Sequence, residues 1–336
     1  MKIAYILYPE VIISNKSNGI RSQAETWAEL LRTKGHEVDY VNNWGDYNWK
    51  EFDVIHFFGG GKWMFPIVKR MSAINPNLCW SPICDPKFST EFSAKEKIKR
   101  WTSDFLKWDY LYNVKKDPSL KKVLVRTQFE YDYLHKTYGI PQDILTLIPL
   151  SYSKYCTSYE KCKKEDFCLH ISSIYQDRKN VVRLIHAANK YNFQLVLAGS
   201  KGAEEQFQLI KNAIGDNTNI EVLGFISEEE KIDLYRRAKV FALPSISEGV
   251  GIVALDAAYY GCDIVITDIP GPKEYYNGQC IEVNPFDVDA IGKSITRFLN
   301  EEVSFQPSLS KYILGTYSPE IIADSVESVY YQMIKS

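Results

Sequence analysis

The chain has 336 residues, of which 45% are hydrophobic and 24% charged; it is long enough for two domains of roughly 150 residues, and too apolar for wholesale disorder. No apolar run reaches the roughly 20 residues that a membrane-spanning helix needs. The net charge of −2 excludes a strongly basic nucleic-acid binder, and seven cysteines, an odd number, point to reduced thiols rather than a disulfide framework.

In chain order, "KIAYIL" reads as a first buried strand, too short for a secretory leader. "RSQAETWAELLRTKG" follows with Ala24, Trp27, Leu30 and Leu31 at helical spacing and Gly35 placed to cap. "HEVDYV", "DVIHFF" and "NLCWSPI" read as strands, with "KWMFPIVKRMSA" a helix between the last two. "KKVLVRT" and "ILTLIP" close this first alternation. "LSYSKYCTSYEKCKKED" then breaks it, polar and without period.

The alternation restarts with "FCLHISS" and runs through "FQLVLAG", "NIEVLG" and "KVFALP", each strand followed or preceded by a helical stretch. "DIVIT", "CIEV", the helix "DVDAIGKSITRFLN" and a last amphipathic helix "SPEIIADSVESVYYQMIKS" complete the chain. Strands alternating with helices imply right-handed crossovers and parallel sheets. The expected organisation is a first Rossmann-like domain over 1–152, a linker over 153–165, a second over 166–310, and a C-terminal segment, 311–336, packing back on the first. Open sheets of this kind bind ligands at the carboxyl ends of their strands, so two facing domains make a cleft.

Charge is uneven along the chain. Through Cys156 there are 22 Lys+Arg against 17 Asp+Glu, or +5, and the remainder carries 18 against 25, or −7. Residues 95–122 hold nine cations against four acids, with Trp101, Phe105, Trp108 and Tyr112 on one helical face. Such a stretch either lies on an anionic membrane or packs its aromatics inward. Cys156, Cys162 and Cys168 recur at even spacing near His170, but the gaps do not suit zinc; they read as ordinary linker and strand residues.

No G-x-G-x-x-G or P-loop motif is present, which takes away the main warrant for dinucleotide-dehydrogenase and P-loop readings. The informative stretch is "PSISEGVGIVALDAAYYG". A strand ends at Pro244, Gly249 and Gly251 allow a tight turn, and a helix begins whose free N–H groups suit a phosphate. Glu248 is an acceptor for neutral hydroxyls beside that phosphate, and Asp256, eight residues on, can take another pair. In "HISSIYQDRKN", Arg178 and Lys179 stand after a strand and can neutralise a diphosphate. A helix cap and a surface charge pair are the bland readings of each motif alone; together they point to a sugar nucleotide. "DVD" at 287–289 resembles a metal motif, but Asp287 opens a helix and reads as its N-cap.

The second half resembles the donor domain of retaining glycosyltransferases of family 4, an α/β class with the GT-B fold. The likeness runs through "SSIYQDRKN", "LVLAGSKG", "IEVLGFISEEEKIDLYRRAKVFALPSISEGVGIVALDAAYYGCDIVITD" and "GPKEYYNG"; it is looser in the first half, at Gly19, "KGHEVDYV", "FDVIHFFGG" and "VLVRTQFEYDYLHKTYGI". The resemblance implies that Glu248 contacts the donor sugar, Asp256 the ribose, and Lys179 the diphosphate, with Arg178 substituting for an arginine usual at Ser173. It further implies phosphate or sugar contacts from Gly249, Val250, Gly251 and Ile252, base packing by Phe225, and closure of Gly19 over the diphosphate. Asp85, beside Cys84, stands where relatives carry a catalytic histidine, and "IPLSYS" replaces an asparagine–glycine pair.

The activity implied is transfer, with retention and without a metal or other cofactor, from a UDP- or GDP-linked sugar to a hydroxyl of a saccharide or lipid-linked acceptor. The expected setting is surface polysaccharide synthesis (O-antigen or capsule), in the cytoplasm at the inner membrane face, with no nucleic-acid partner. The two departures in the first half leave open a catalytically weak nucleotide-sugar-binding subunit; an epimerase or phosphorylase of the same fold is a third reading.

Overall fold

A computed structural model of the chain describes residues 1–7, 19–42, 44–60, 64–84, 119–153, 156 and 163–336. The described chain divides into two compact units, Met1–Leu150 with Pro319–Ser336, and Ser151–Ser318. Each is built on a six-stranded, all-parallel sheet.

In the first unit the strands are β1 (Lys2–Leu7), β2 (Glu37–Tyr40), β3 (Val54–Phe58), β4 (Leu78–Ser81), β5 (Lys122–Val125) and β6 (Leu145–Leu147), in the order β2-β1-β3-β4-β5-β6. Buried on both faces, β3 and β4 are mostly apolar, as parallel strands are, with His56 and Ser81 the polar exceptions. Helix α1 (Gly19–Thr33) buries Ala24, Trp27, Ala28 and Leu31, while Gly35 takes φ +86 just beyond its end. Helices α2 (Met64–Ser72) and α3 (Gln128–Tyr133) follow, and α3 is capped by the Thr127 side chain, which accepts from Glu130 N. The core gathers around Phe57, Trp80, Val123 and Leu134.

In the second unit the strands are β7 (Glu165–Ile171), β8 (Gln194–Ala198), β9 (Ile220–Gly224), β10 (Ala238–Leu243), β11 (Asp263–Thr267) and β12 (Ile281–Val283), in the order β12-β11-β10-β7-β8-β9. Its helices are α4 (Val181–Tyr191), α5 (Glu204–Ile214), α6 (Glu228–Arg237), α7 (Ile252–Tyr259), α8 (Val288–Leu299) and α9 (Ser308–Thr316). A capping box between Ser227 and Glu230 starts α6. Asp287 caps α8 by accepting from Asp289 N and Ala290 N, the role read for it in the sequence. Leu184, Ile185, Leu197, Val240, Ile291 and Phe298 form the core.

The last helix, α10 (Pro319–Lys335), belongs to the first unit. Its buried Tyr330 hydroxyl meets His56 Nδ1 at 2.5 Å and Tyr5 Oη at 3.1 Å, and His56 Nε2 meets Ser81 Oγ at 2.9 Å. The change of unit falls at Pro319 rather than at 311, because α9, unread in the sequence, buries Leu309 and Ile313 within the second unit. Tyr317 then packs against Tyr275 with ring centroids 4.9 Å apart and the rings tilted by 38°. The expected linker lies largely outside the described residues; Ser153 and Cys156 are described and engage the second unit.

Candidate functional site

Strands β7 and β10 are parallel neighbours, with Val240 opposite Cys168 and Phe241 opposite Leu169. The sheet order reverses between them, so the turns leaving their carboxyl ends sit at the switch point where open α/β sheets take ligands. Buried His170 ties the two ends, its Nδ1 2.8 Å from Ala242 O and its Nε2 2.7 Å from Ser172 Oγ. Burial pulls its pKa down to about 4, so at neutral pH it is a neutral bridge.

The turn after β7 carries Arg178 and Lys179, and the turn after β10 carries Glu248. Main chain joins the two turns, Ile246 N donating to Arg178 O at 2.8 Å. Lys179 Nζ donates to Glu248 Oε2 at 2.5 Å, with both side chains about nine-tenths buried. Ser245 Oγ donates to the same oxygen at 3.2 Å. Exposed Arg178 donates through Nε to Gln176 Oε1 at 2.8 Å and through Nη1 to Ser247 O at 3.5 Å.

Asn180 fixes this junction. It takes φ +61, a left-handed conformation that asparagine tolerates. Its buried amide nitrogen donates to Pro244 O at 2.8 Å and to Pro285 O at 2.5 Å, while Oδ1 accepts from Arg183 Nη1 at 2.8 Å. One side chain thus spans the ends of β10 and β12 while its backbone turns Lys179 toward Glu248. The same turn continues into α4.

Of the two glycines after Glu248, Gly251 alone takes a positive φ, +77, and a Cβ there would stand 2.8 Å from Leu243 Cδ2. Gly251 is the N-cap of α7 and supplies no side-chain cap, while Ala254 N in the first turn donates to Gly251 O at 2.8 Å. Val250, between the glycines, is buried. A cation, a carboxylate and a helix N-terminus therefore converge in 178–252, the combination that can hold a phosphate next to hydroxyls.

Of the remaining residues singled out in the sequence, Ser173 shares the turn after β7 and the others lie elsewhere. Ser173, in the turn after β7, accepts from Gln176 N through its carbonyl. Phe225 stands beyond the end of β9 and is 90% exposed. Gly19 begins α1 in the first unit, and a Cβ there would meet nothing within 4 Å. Asp85 and most of 95–122 lie outside the described residues.

Asp256 is the residue for which the resemblance implies a contact to the ribose hydroxyls. It is 2% exposed, inside α7, and its Oδ1 accepts from Ser153 N at 2.7 Å and Cys156 Sγ at 3.6 Å. None of its hydrogen bonds runs to Glu248, Lys179 or Arg178. Loss of water around it pushes its pKa up to about 6, with the Ser153 N–H and Lys231 pulling the other way. Cys156 thus sits on Asp256 while Cys168 is buried within β7. Among the described residues no three His, Cys, Asp or Glu side chains are grouped to hold a metal.

Sequence reasoning did not find Ser245, Asn180 or the bridging role of His170. Ser245 is signalled only by S-x-x-E, a pattern common in loops, and Asn180 only by following Lys179 where a left-handed residue is needed.

Comparison with known proteins gives four matches. Residues 157–314 match the family model of glycosyl transferases group 1. The O-antigen chain mannosyltransferase B of Escherichia coli is 25% identical over 206 residues, 55% of this chain and 53% of that protein; the chain spans about half the length of the curated relatives it matches. Sucrose-phosphate synthase from Thermosynechococcus elongatus superposes with a TM-score of 0.77 at 15% identity, covering 100% of both chains. Anabaena HepE, solved with UDP and glucose, gives 0.72 at 14% identity over 99% of this chain and 100% of that one. The two parallel six-stranded sheets with their helices are those of the GT-B class of fold.

Proposed function

We propose, from the premise that residues 157–314 are a group 1 glycosyltransferase domain, that the chain moves a sugar from a nucleotide diphosphate to a hydroxyl of a saccharide or lipid-linked saccharide during polysaccharide synthesis. The reading is carried by one observation: Lys179 and Glu248, nine-tenths buried and 2.5 Å apart, close the turns that leave β7 and β10. A buried cation and carboxylate cost much to desolvate and persist only while each has a partner. A sugar nucleotide supplies both replacements. Its diphosphate takes the lysine, and a sugar hydroxyl donates to the glutamate.

Charge develops on the diphosphate as the bond to the anomeric carbon breaks. Lys179, with Arg178 at the rim and the N–H groups at the start of α7, is fixed before the reaction and stabilises that charge without reorganising. Glu248 orients the sugar through its hydroxyls, holding the anomeric carbon for the incoming acceptor oxygen. The proposal includes retention at that carbon and independence of a metal, which the likeness to family 4 supports. The E. coli relative's name, an O-antigen mannosyltransferase, supports a polysaccharide setting, and the UDP and glucose of HepE support a nucleotide-sugar donor. Docking at a membrane face through 95–122 belongs to the same proposal; no helix among the described residues is long and apolar enough to cross a membrane.

The deciding experiment is turnover on a panel of UDP- and GDP-sugars with saccharide acceptors, following release of the nucleoside diphosphate and the anomeric configuration of the product by NMR. Release with retained configuration is expected. Saturable nucleotide-sugar binding without release from any pair would identify a binding subunit instead.

A further inference from the structure

We propose that Phe286 and the polar groups beside it form a saccharide subsite, in which the C–H face of an acceptor sugar stacks on the ring; this rests on the glycosyltransferase reading above. Phe286 stands between the end of β12 and the start of α8 and is 59% exposed. Val288 and Ala290, just beyond it, pack against the core of the second unit. An apolar residue before an N-cap such as Asp287 ordinarily folds over the first turn of the helix as a staple. A staple hides its side chain, and this one stays in water.

The residue is held in place on both sides. Its own N–H donates to Asn284 Oδ1 at 2.9 Å, and the carbonyl before it, Pro285 O, accepts from Asn180 Nδ2 at 2.5 Å. The guanidinium carbon of Arg183 lies 5.1 Å from the ring centroid, and Arg183 Nη1 donates to Asn180 Oδ1 at 2.8 Å. Asn180 therefore fixes the backbone beside Phe286 and also the cation over its ring. The same amide nitrogen reaches Pro244 O at the end of β10, which brings the chain leaving β12 to the strand end that leads to Glu248. An exposed ring that is already ordered loses little further freedom when a ligand covers it.

The neighbouring groups select the ligand class. With the guanidinium over one face, the exposure of Phe286 belongs to the other face and the ring edge. Asn284 is exposed, and since its Oδ1 is taken by Phe286 N, its amide nitrogen is left as a donor. Asp287 caps α8 through Oδ1 and keeps a second carboxylate oxygen. Among the described residues Arg183 donates only to Asn180, so most of its N–H groups remain. A pyranose matches this mixture, with an apolar C–H face for the ring and hydroxyls at its rim that both donate and accept. Asp287, next to the ring, tells against an anionic lipid surface, and one ring is too small to anchor a protein interface.

The test uses the full chain and the variants Phe286→Ala and Phe286→Trp, with methyl α-D-mannopyranoside and methyl α-D-glucopyranoside as probes in saturation-transfer NMR. The parent is expected to bind at least one glycoside, with the C–H protons of its pyranose ring the most strongly saturated. Phe286→Ala should bind it about tenfold more weakly, the scale of one lost stacking contact, while Phe286→Trp retains it. Because the side chain is in water, both variants should melt with the parent, and their melting shifts with UDP and GDP should equal the parent's. Equal glycoside binding by parent and Phe286→Ala, no glycoside binding by the parent, or lowered melting of both variants would each overturn the subsite. Weakened UDP or GDP binding in Phe286→Ala would overturn it as well, and give the ring to a nucleobase. A parent that gives no melting shift with either nucleotide and turns over no sugar nucleotide would sink the glycosyltransferase reading instead, whatever the glycosides show.

Discussion

Lys179 Nζ lies 2.5 Å from Glu248 Oε2, although 69 residues separate them in sequence. The other lysine–carboxylate pairs described in the chain are less buried than this one, as in Lys239–Asp166 and Lys211–Glu204, and exposed pairs contribute little to stability. This one is built differently. A main-chain hydrogen bond from Ile246 to Arg178 locks the turns together, and Ser245 supplies a second donor to the carboxylate. Such a pair is a poor way to stabilise a fold and a good way to keep two opposite charges aimed at a ligand that carries both kinds of complement.

Lys179→Ala and Glu248→Ala should each lower kcat by more than about a hundredfold, the usual cost of losing one preorganised electrostatic group. Each should also lower Tm, because the partner is left as a buried, unpaired charge. In the double variant the two losses of stability should add to less than their sum, since neither charge is then stranded. Steady-state kinetics and thermal melts of the three variants check this; near-parental kcat in both single variants would end the mechanistic assignment.

Asn180→Gly keeps the left-handed conformation but removes the amide that reaches Pro244 O and Pro285 O. A loss of about 1–3 kcal/mol in unfolding free energy is expected from two buried hydrogen bonds. Because those bonds hold the β10 turn against Lys179, the affinity for the nucleotide should also fall, and Asn180→Ala should be worse on both counts, as alanine resists φ near +61. Urea unfolding and nucleotide titration read the two effects separately. Unchanged nucleotide affinity in Asn180→Gly would show that the turn is positioned without it.

Much of this was legible before any coordinates. Apolar runs such as "KIAYIL" placed β1 at Lys2–Leu7 to the residue, because buried parallel strands need no long-range information to be recognised. The pairing of the dibasic turn with the acid–glycine turn followed from both being strand-to-helix turns. Helix α9 was missed because "PSLSKYILGT" begins and ends with helix-breaking residues, and its amphipathic character is weak outside the context of the unit that covers it. Asp256 was read from its spacing to Glu248, but spacing along one segment cannot reveal that Ser153, 103 residues away, occupies its carboxylate.

Tyr330→Phe removes the hydroxyl shared by His56 and Tyr5 and leaves both polar groups unsatisfied in the core of the first unit. Leaving buried partners unpaired should cost about 1–3 kcal/mol, enough to lower Tm measurably. Hydrogen exchange should show the loss in β1, β3 and α10 while α4 and β10 of the second unit keep their protection. Equal loosening of both units would show that α10 is not anchored through this hydroxyl.

The buried carboxyl of Asp256 predicts an unusual pH response. Its pKa is raised in the folded protein to about 6, from an ordinary value of 3.8, chiefly because burial disfavours the charged form. Above pH 6 the group is ionised in both the folded and unfolded chain, and the folded state bears the full penalty. Between pH 6 and 4 the folded state takes up the proton first, so this group's contribution becomes more favourable to folding as pH falls, by at most about 3 kcal/mol for a shift near two units. His170 works in the opposite direction over much of the same range, since its pKa is lowered to about 4 and acid favours its charged, unfolded form. The parent alone can therefore look flat. The informative quantity is the difference between the parent and Asp256→Asn, which keeps an acceptor oxygen for Ser153 N but cannot titrate. Unfolding free energies at pH 7, 6, 5 and 4 should show the parent gaining on the variant steadily as pH falls, with nucleotide affinity at pH 7 nearly equal in the two. A flat difference would mean that Asp256 is solvated in the native protein. A large loss of nucleotide affinity in the variant would return it to the ribose role implied by the family resemblance, with Ser153 N–H giving way when the donor binds.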